Sequence, residues 1–228
     1  MPYHINAEKI DLYALQLRVE STDLVPSRLA LLDQIGAKME VLRTHGIRTL
    51  ADLRKELKNT GRLKALAIAT GIGESYLVLL RREIEGYFPN PLPLKTFEEL
   101  SPEDLAKLTQ CGIFDTAALF EASETSEKLS RLAITTGVDV SILNPLARLV
   151  DLMRIQWVSL TFARMLLACG FDGATKVAIA NPNTLYHALA SANAESGFFK
   201  GTIGLRDVKR LIYAANALSD QGQPLNNK

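Results

Sequence analysis

A glycine and a lysine at the start of a helix can bind phosphate. Without a Cβ, the backbone N–H groups come close to an anion, and the cation stands beside them. Gln34-Ile35-Gly36-Ala37-Lys38 has this pattern. Just after it, Arg43, Arg48, Arg54, Lys55, Lys58, Arg62 and Lys64 face only Asp52 and Glu56, a local excess of five positive charges in a protein of net charge +1. Gly36, Lys38, Arg43, Arg48, Arg54 and Lys55 are therefore the candidate contacts to nucleic-acid phosphates. The plainer alternative is a glycine that lets helices pack and a basic face that water solvates. Gly71-Ile72-Gly73 carries similar glycines, but Glu74 follows it and Asp139 follows its later counterpart. A carboxylate at a helix N-terminus satisfies the dipole itself and repels phosphate, so this second hairpin is read as structural.

Catalytic and metal-binding patterns are thin. The three histidines, His4, His45 and His187, lie in unrelated contexts, and the chain has no His-x-x-x-His, Glu-x-x-His or Cys-x-x-Cys pair. There is no phosphate-binding P-loop and no Gly-x-Ser-x-Gly elbow. The acid pairs Glu98-Glu99 and Glu103-Asp104 sit where helices begin, and the helix dipole accounts for them. Cys111 and Cys169 each precede a glycine, as His45 does, and are expected to fill space at the ends of helices. No catalytic residue, metal ligand, cofactor or small-molecule substrate is assigned.

Trp157 is the only tryptophan. It is expected to be buried between neighbouring units; an exposed ring would mark a partner or base-stacking contact instead. Phe198 and Phe199 sit in what looks like an inserted loop, Glu195 to Thr202. With Trp157 they are the candidate protein-contact residues.

The elements that must carry these residues come from a repeat. Leu63-Lys-Ala-Leu-Ala-Ile-Ala-Thr-Gly-Ile72 recurs as Leu129-Ser-Arg-Leu-Ala-Ile-Thr-Thr-Gly-Val138 with six identities in ten positions. Gly46 precedes Gly71 by 25 residues, as Gly112 precedes Gly137. Such self-similarity decides the architecture. Around these marks run short amphipathic segments separated by Gly turns and cap residues such as Thr49 and Ser101-Pro102. This is the helix-hairpin-helix pattern used twice per unit, and nothing reads as a strand. The expected organisation is an N-terminal helical arm over 1–33, docked on a first unit over 34–88. A stiff extended Pro-rich linker follows over 89–94, then a second unit over 95–153, a divergent third over 154–218 and a polar tail over 219–228. Three prolines within Pro89–Pro93 forbid a helix there.

The order Asp151-Leu-Met-Arg-Ile155, Phe162-Ala-Arg-Met-Leu166, Ala168-Cys-Gly-Phe171, Ala180-Asn-Pro-Asn-Thr-Leu-Tyr186 is similar to the bacterial family catalogued as domain of unknown function 4332. Thr22-Asp-Leu-Val-Pro-Ser27 and Ala69-Thr-Gly-Ile72 share the resemblance, which runs over nearly the whole chain. It implies an all-α fold of tandem helix-hairpin-helix, SAM-like repeats and no established activity. The family commonly has Gly-hydrophobic-Gly where this chain has Trp157-Val158-Ser159, which weighs against a backbone-to-phosphate role for the third unit.

Composition narrows the function class. Lys and Arg total 26 against 25 Asp and Glu, so the molecule as a whole carries no field steering it to nucleic acid or anionic lipid. No apolar run approaches the ~18 residues of a membrane span, and two cysteines make no disulfide framework. The first residues lack the basic-then-apolar pattern of a signal peptide, and a cytoplasmic location is expected. The function expected is a non-catalytic interaction or scaffold protein with a protein partner. The alternative is nucleic-acid binding through the first hairpin and the basic 38–64 surface.

Overall fold

The computed structural model describes residues 2–198 and 200–219. Among these residues there are thirteen α-helices, two 3-10 turns and only two isolated bridges, so the protein is all-α. Helix α1 (Leu12–Ser21) and a 3-10 turn (Pro26–Leu32) come first. Four helices follow: α2 (Ile35–Thr44), α3 (Leu50–Leu57), α4 (Thr60–Thr70) and α5 (Glu74–Glu85). The same order continues with α6 (Pro102–Gln110), α7 (Thr116–Ser123), α8 (Ser126–Thr136) and α9 (Val140–Leu152). It ends with α10 (Leu160–Ala168), α11 (Ala174–Ala178), α12 (Pro182–Ser196) and α13 (Leu205–Ser219).

Capping chemistry sets these boundaries. Thr49 and Asp115 start α3 and α7 by accepting from Asp52 N and Ala118 N, and Asn59, Thr125 and Asn181 do the same for α4, α8 and α12. The third helix of each group ends at a glycine in the left-handed region: Gly71, Gly137 and Gly197, with φ of 70°, 69° and 61°. Most of the doubled stretch is explained by this turn. The Thr70 and Thr136 hydroxyls donate to Leu66 O and Leu132 O and accept from Ile72 N and Val138 N, tying each helix end to the chain that leaves it. Leu66 and Leu132 are buried. Ile68 and Ile134 are each 85% exposed, and packing gives no account of their identity. In the last group, α12 continues to Ser196, because Gly197 N still reaches Asn193 O. The inserted loop therefore begins after Gly197 and not at Glu195.

The chain forms two compact units, one of residues 5–88 with 217–219 and one of residues 2–4 with 89–216. In the first, the arm before α1 pairs with the loop before α3: Leu12 N donates to Arg48 O (3.2 Å) and Leu50 N to Ile10 O (2.8 Å). Leu15, Leu31, Met39, Leu53, Leu77 and Ile84 are among its fully buried side chains. The second unit repeats the pairing where a plain linker is expected. Leu94 N donates to Phe114 O (2.9 Å) and Thr116 N to Leu92 O (3.0 Å), so the proline-rich stretch is extended and also fastened beside the start of α7. Proline is tolerated there because Pro93 sits at a position that donates no bond.

Arg154 is the buried cation of the second unit, 4% exposed. Its Nη1 pairs with Asp151 Oδ1 at 2.7 Å, Nε donates to Tyr3 O at 3.0 Å and Nη2 to Pro2 O at 3.4 Å, while the guanidinium lies 3.9 Å above the Phe120 ring. Tyr3, itself buried, shares a hydrogen bond with Thr116 Oγ1 at 3.1 Å. The second oxygen of Asp151 accepts from Ala174 N at 2.8 Å. It caps α11, where Gly173 brings no side-chain cap of its own and where a Cβ would meet that oxygen at 3.1 Å. One carboxylate thus anchors Arg154 and starts a helix.

Arg154→Ala leaves Asp151 and two carbonyls without their donor, and we expect it to lower unfolding stability by about 3–5 kcal/mol in urea denaturation. Farther out, Glu99 accepts both ends of the Arg164 fork at 2.7 and 2.9 Å, and this hydrogen bonding holds its carboxyl below the ordinary value of 4.5 against the opposing effect of burial. The unfolded chain takes up that proton more readily, so the contribution is complete above the ordinary value and is lost as pH falls through the lowered one. Glu99→Gln should flatten that acidic part of the stability–pH curve and leave the neutral part nearly unchanged.

Candidate functional site

The first hairpin is built differently from its sequence pattern. Gln34, not Gly36, takes the left-handed conformation, with φ of 49°. Gly36 lies inside α2, where an added Cβ would stand 3.3 Å from Gln16 Nε2, so the missing side chain makes room for α1. Gln34 provides no side-chain cap to α2. Lys38 turns back: its Nζ pairs with the Asp33 carboxylate at 2.9 Å, donates to Asp33 O and lies 4.3 Å from the Tyr76 ring centroid. Burial, with the Asp33 charge adding to it, pushes the Tyr76 hydroxyl up to about 12, and that hydroxyl donates to Leu31 O.

Two of the neighbouring cations are also engaged. Arg43 pairs with Glu40 at 3.2 Å. Arg54 holds both oxygens of Glu85 at 2.9 Å and stacks 3.6 Å over Phe88, and its hydrogen bonds keep the Glu85 carboxyl below its ordinary value. Arg48 is exposed and lines an open depression of about 390 Å³ that it shares with Asp11, Tyr13, Glu40 and Arg43. Lys55 is exposed beside Asp52 and Glu56 at another depression. Every one of these basic surfaces is interleaved with carboxylates.

A different site forms where α10 faces the loop before α13. Trp157 is 49% exposed, which corrects the expectation that it is buried. The reason lies in the backbone. Trp157 has φ of 71°, matching Gly71 at 70° and Gly137 at 69°, and a buried Val158 follows it as Ile72 and Val138 follow those glycines. The chain takes the same left-handed φ with a bulky residue at a position that favours glycine, and the ring stands half-exposed there. Ser159 then caps α10 by accepting from Phe162 N at 3.2 Å. Trp157, Phe162, Met165, Phe198 and Ile203 line a cavity of about 320 Å³, with Asp207 on its polar rim. Phe198 is half-buried there, and Phe199 lies outside the described residues. Asp207 Oδ2 accepts from Gly204 N at 3.0 Å, which starts α13. Arg210, one turn farther along, lays its guanidinium 4.4 Å from the centroid of the Trp157 ring. Nothing in the local sequence pairs Arg210 with Trp157, so this contact was not foreseeable from spacing.

The cysteines divide. Cys111 is exposed, contrary to a space-filling role, because the helix end it follows faces outward; Cys169 is half-buried with Sγ 3.3 Å from Ala188 O. Burial, with Glu195 adding to it, pushes the Cys169 thiol up, so its thiolate is disfavoured. Among the described residues no group of His, Cys, Asp and Glu is arranged to hold a metal, and no helix is long and apolar enough to cross a membrane.

The fold and these sites define an all-helical protein with an aromatic, half-exposed cavity edge on its C-terminal half. Residues 98–218 match the family described as Domain of unknown function (DUF4332), more than half of the chain, and the protein belongs to that family. The match begins at Glu98, so Thr22–Ser27 and Ala69–Ile72 lie outside it. No curated protein and no solved structure matched the chain.

The backbone strain at Trp157 is testable. Trp157→Ala loses the ring and keeps the left-handed φ, whereas Trp157→Gly loses the ring and the strain. The glycine variant should be more stable than the alanine variant by about 1 kcal/mol in chemical denaturation.

Proposed function

We propose that this protein is a non-catalytic helical interaction module, built of tandem helix-hairpin-helix, SAM-like units, that binds a protein partner at the Trp157 edge. The repeat part of the reading is supported by four left-handed residues, each one to three positions before a helix. Gln34, Gly71, Gly137 and Trp157 are left-handed, and each is followed by a buried Ile or Val. The binding part rests on one observation: the only tryptophan stands half-exposed, in a backbone conformation that costs free energy, over a cavity with an apolar lining. Tryptophan and arginine dominate the energetics of protein interfaces, and here they are stacked on one another. Nucleic-acid contact through Lys38, Arg43 and Arg54 is the weaker reading, because each of those cations already holds a carboxylate and phosphate would have to displace it.

A photo-crosslinker at Thr161, on the cavity rim, should yield a discrete adduct in native lysate, and the adduct should fade at least severalfold when Trp157→Ala is added. A crosslinker at Lys55 should not yield it. No Trp157-dependent adduct, together with a salt-sensitive shift of a labelled duplex that Arg48→Glu weakens, would overturn this reading in favour of nucleic acid.

A further inference from the structure

Most arginines that bury part of their guanidinium in this protein have a carboxylate: Arg28 has Glu83, Arg54 has Glu85, Arg154 has Asp151 and Arg164 has Glu99. Arg210 has none among the described residues. Its Nε is buried without an acceptor, and its guanidinium lies against the face of the Trp157 ring. A guanidinium whose buried Nε lacks an acceptor is unfavourable, and so is a tryptophan at φ 71° with half of its surface in water. Two features that folding alone disfavours therefore meet at Trp157, which lines the cavity with Phe162, Met165, Phe198 and Ile203. An occupant that supplies an anion to Arg210 and apolar surface to the cavity would satisfy both.

We infer that this edge binds a linear segment of a protein partner in which a carboxylate side chain stands next to an apolar one. The inference rests on the protein-binding reading above and specifies the partner's chemistry. The carboxylate pairs with the free edge of the Arg210 fork, a planar match, while the guanidinium face stays on Trp157. The apolar side chain enters the cavity and covers the indole. The rim also carries Asp207, whose charge is offset by the α13 start it caps. A single arginine beside that acid suits one negative charge better than the nearly two of a phosphoryl group. The exposed Lys200 and Lys209 add positive potential to the approach.

Trp157, the only tryptophan, reports on the site directly. The full chain is titrated with a blocked peptide carrying glutamate beside leucine and phenylalanine, and with the same peptide carrying glutamine in place of glutamate. Tryptophan emission and titration calorimetry are read. Saturable binding of the acidic peptide is expected, with the glutamine peptide about tenfold weaker or more. Arg210→Gln should bring the two peptides to equal affinity, while Lys209→Gln preserves most of the difference; circular dichroism establishes that both variants are folded. The proposal is overturned if the two peptides bind the parent protein equally, if neither binds by about 1 mM, or if phenylacetate alone binds as tightly as the peptide. It is overturned as well if emission and scattered-light mass both rise with protein concentration alone, which would assign the edge to a second copy. A Trp157-dependent adduct at Thr161 alongside failed peptides would reject the acidic motif and leave the protein-binding reading standing.

Discussion

The C-terminal unit depends on how one buried positive charge is satisfied. Arg154 sits where water is excluded, and a guanidinium there is tolerable only if its donors all find acceptors in good geometry. Asp151 neutralises it, the carbonyls of Pro2 and Tyr3 accept from its Nη2 and Nε, and Phe120 lies under its face. This draws residues from the chain's beginning into the unit formed by 89–216. The same Asp151 starts α11, so removing charge at one point would loosen a helix start and the seat of Tyr3 together.

Helix ends do the remaining work of architecture. The helices are short, and short helices are marginal unless their termini are closed and their apolar faces are covered. Side-chain caps close the beginnings, and left-handed glycines close the ends of α4, α8 and α12. At Trp157, which closes no helix, the chain is left-handed without glycine. The conformational cost there, set by the Cβ, has no counterpart at Gly71 or Gly137, and the ring beyond it is half-exposed.

Electrostatics separates the two candidate surfaces. Three cations of the N-terminal unit that look available in a linear count are paired once folded: Lys38 with Asp33, Arg43 with Glu40, Arg54 with Glu85, whereas Arg48 and Lys55 stay exposed. Arg210 attracts no notice in the sequence and lacks a carboxylate among the described residues. Charge counts along a chain measure composition; available charge depends on which side chains meet across helices.

By itself, the sequence determined the helical class, the duplicated stretch, the glycine hinges and most helix starts. Each is a local matter of backbone sterics and of hydrogen bonds within a few residues, as with Thr49 and Asp52 or Thr136 and Val138. Tertiary structure alone decided that the 89–94 stretch is fastened to the loop before α7, that residues 2–4 belong to the second unit, and that Gly36 makes room for Gln16. It also decided that Trp157 is exposed and meets Arg210, 53 residues away in the sequence. All of these are contacts between segments distant along the chain, set by how apolar faces stack, and no local rule of spacing encodes them.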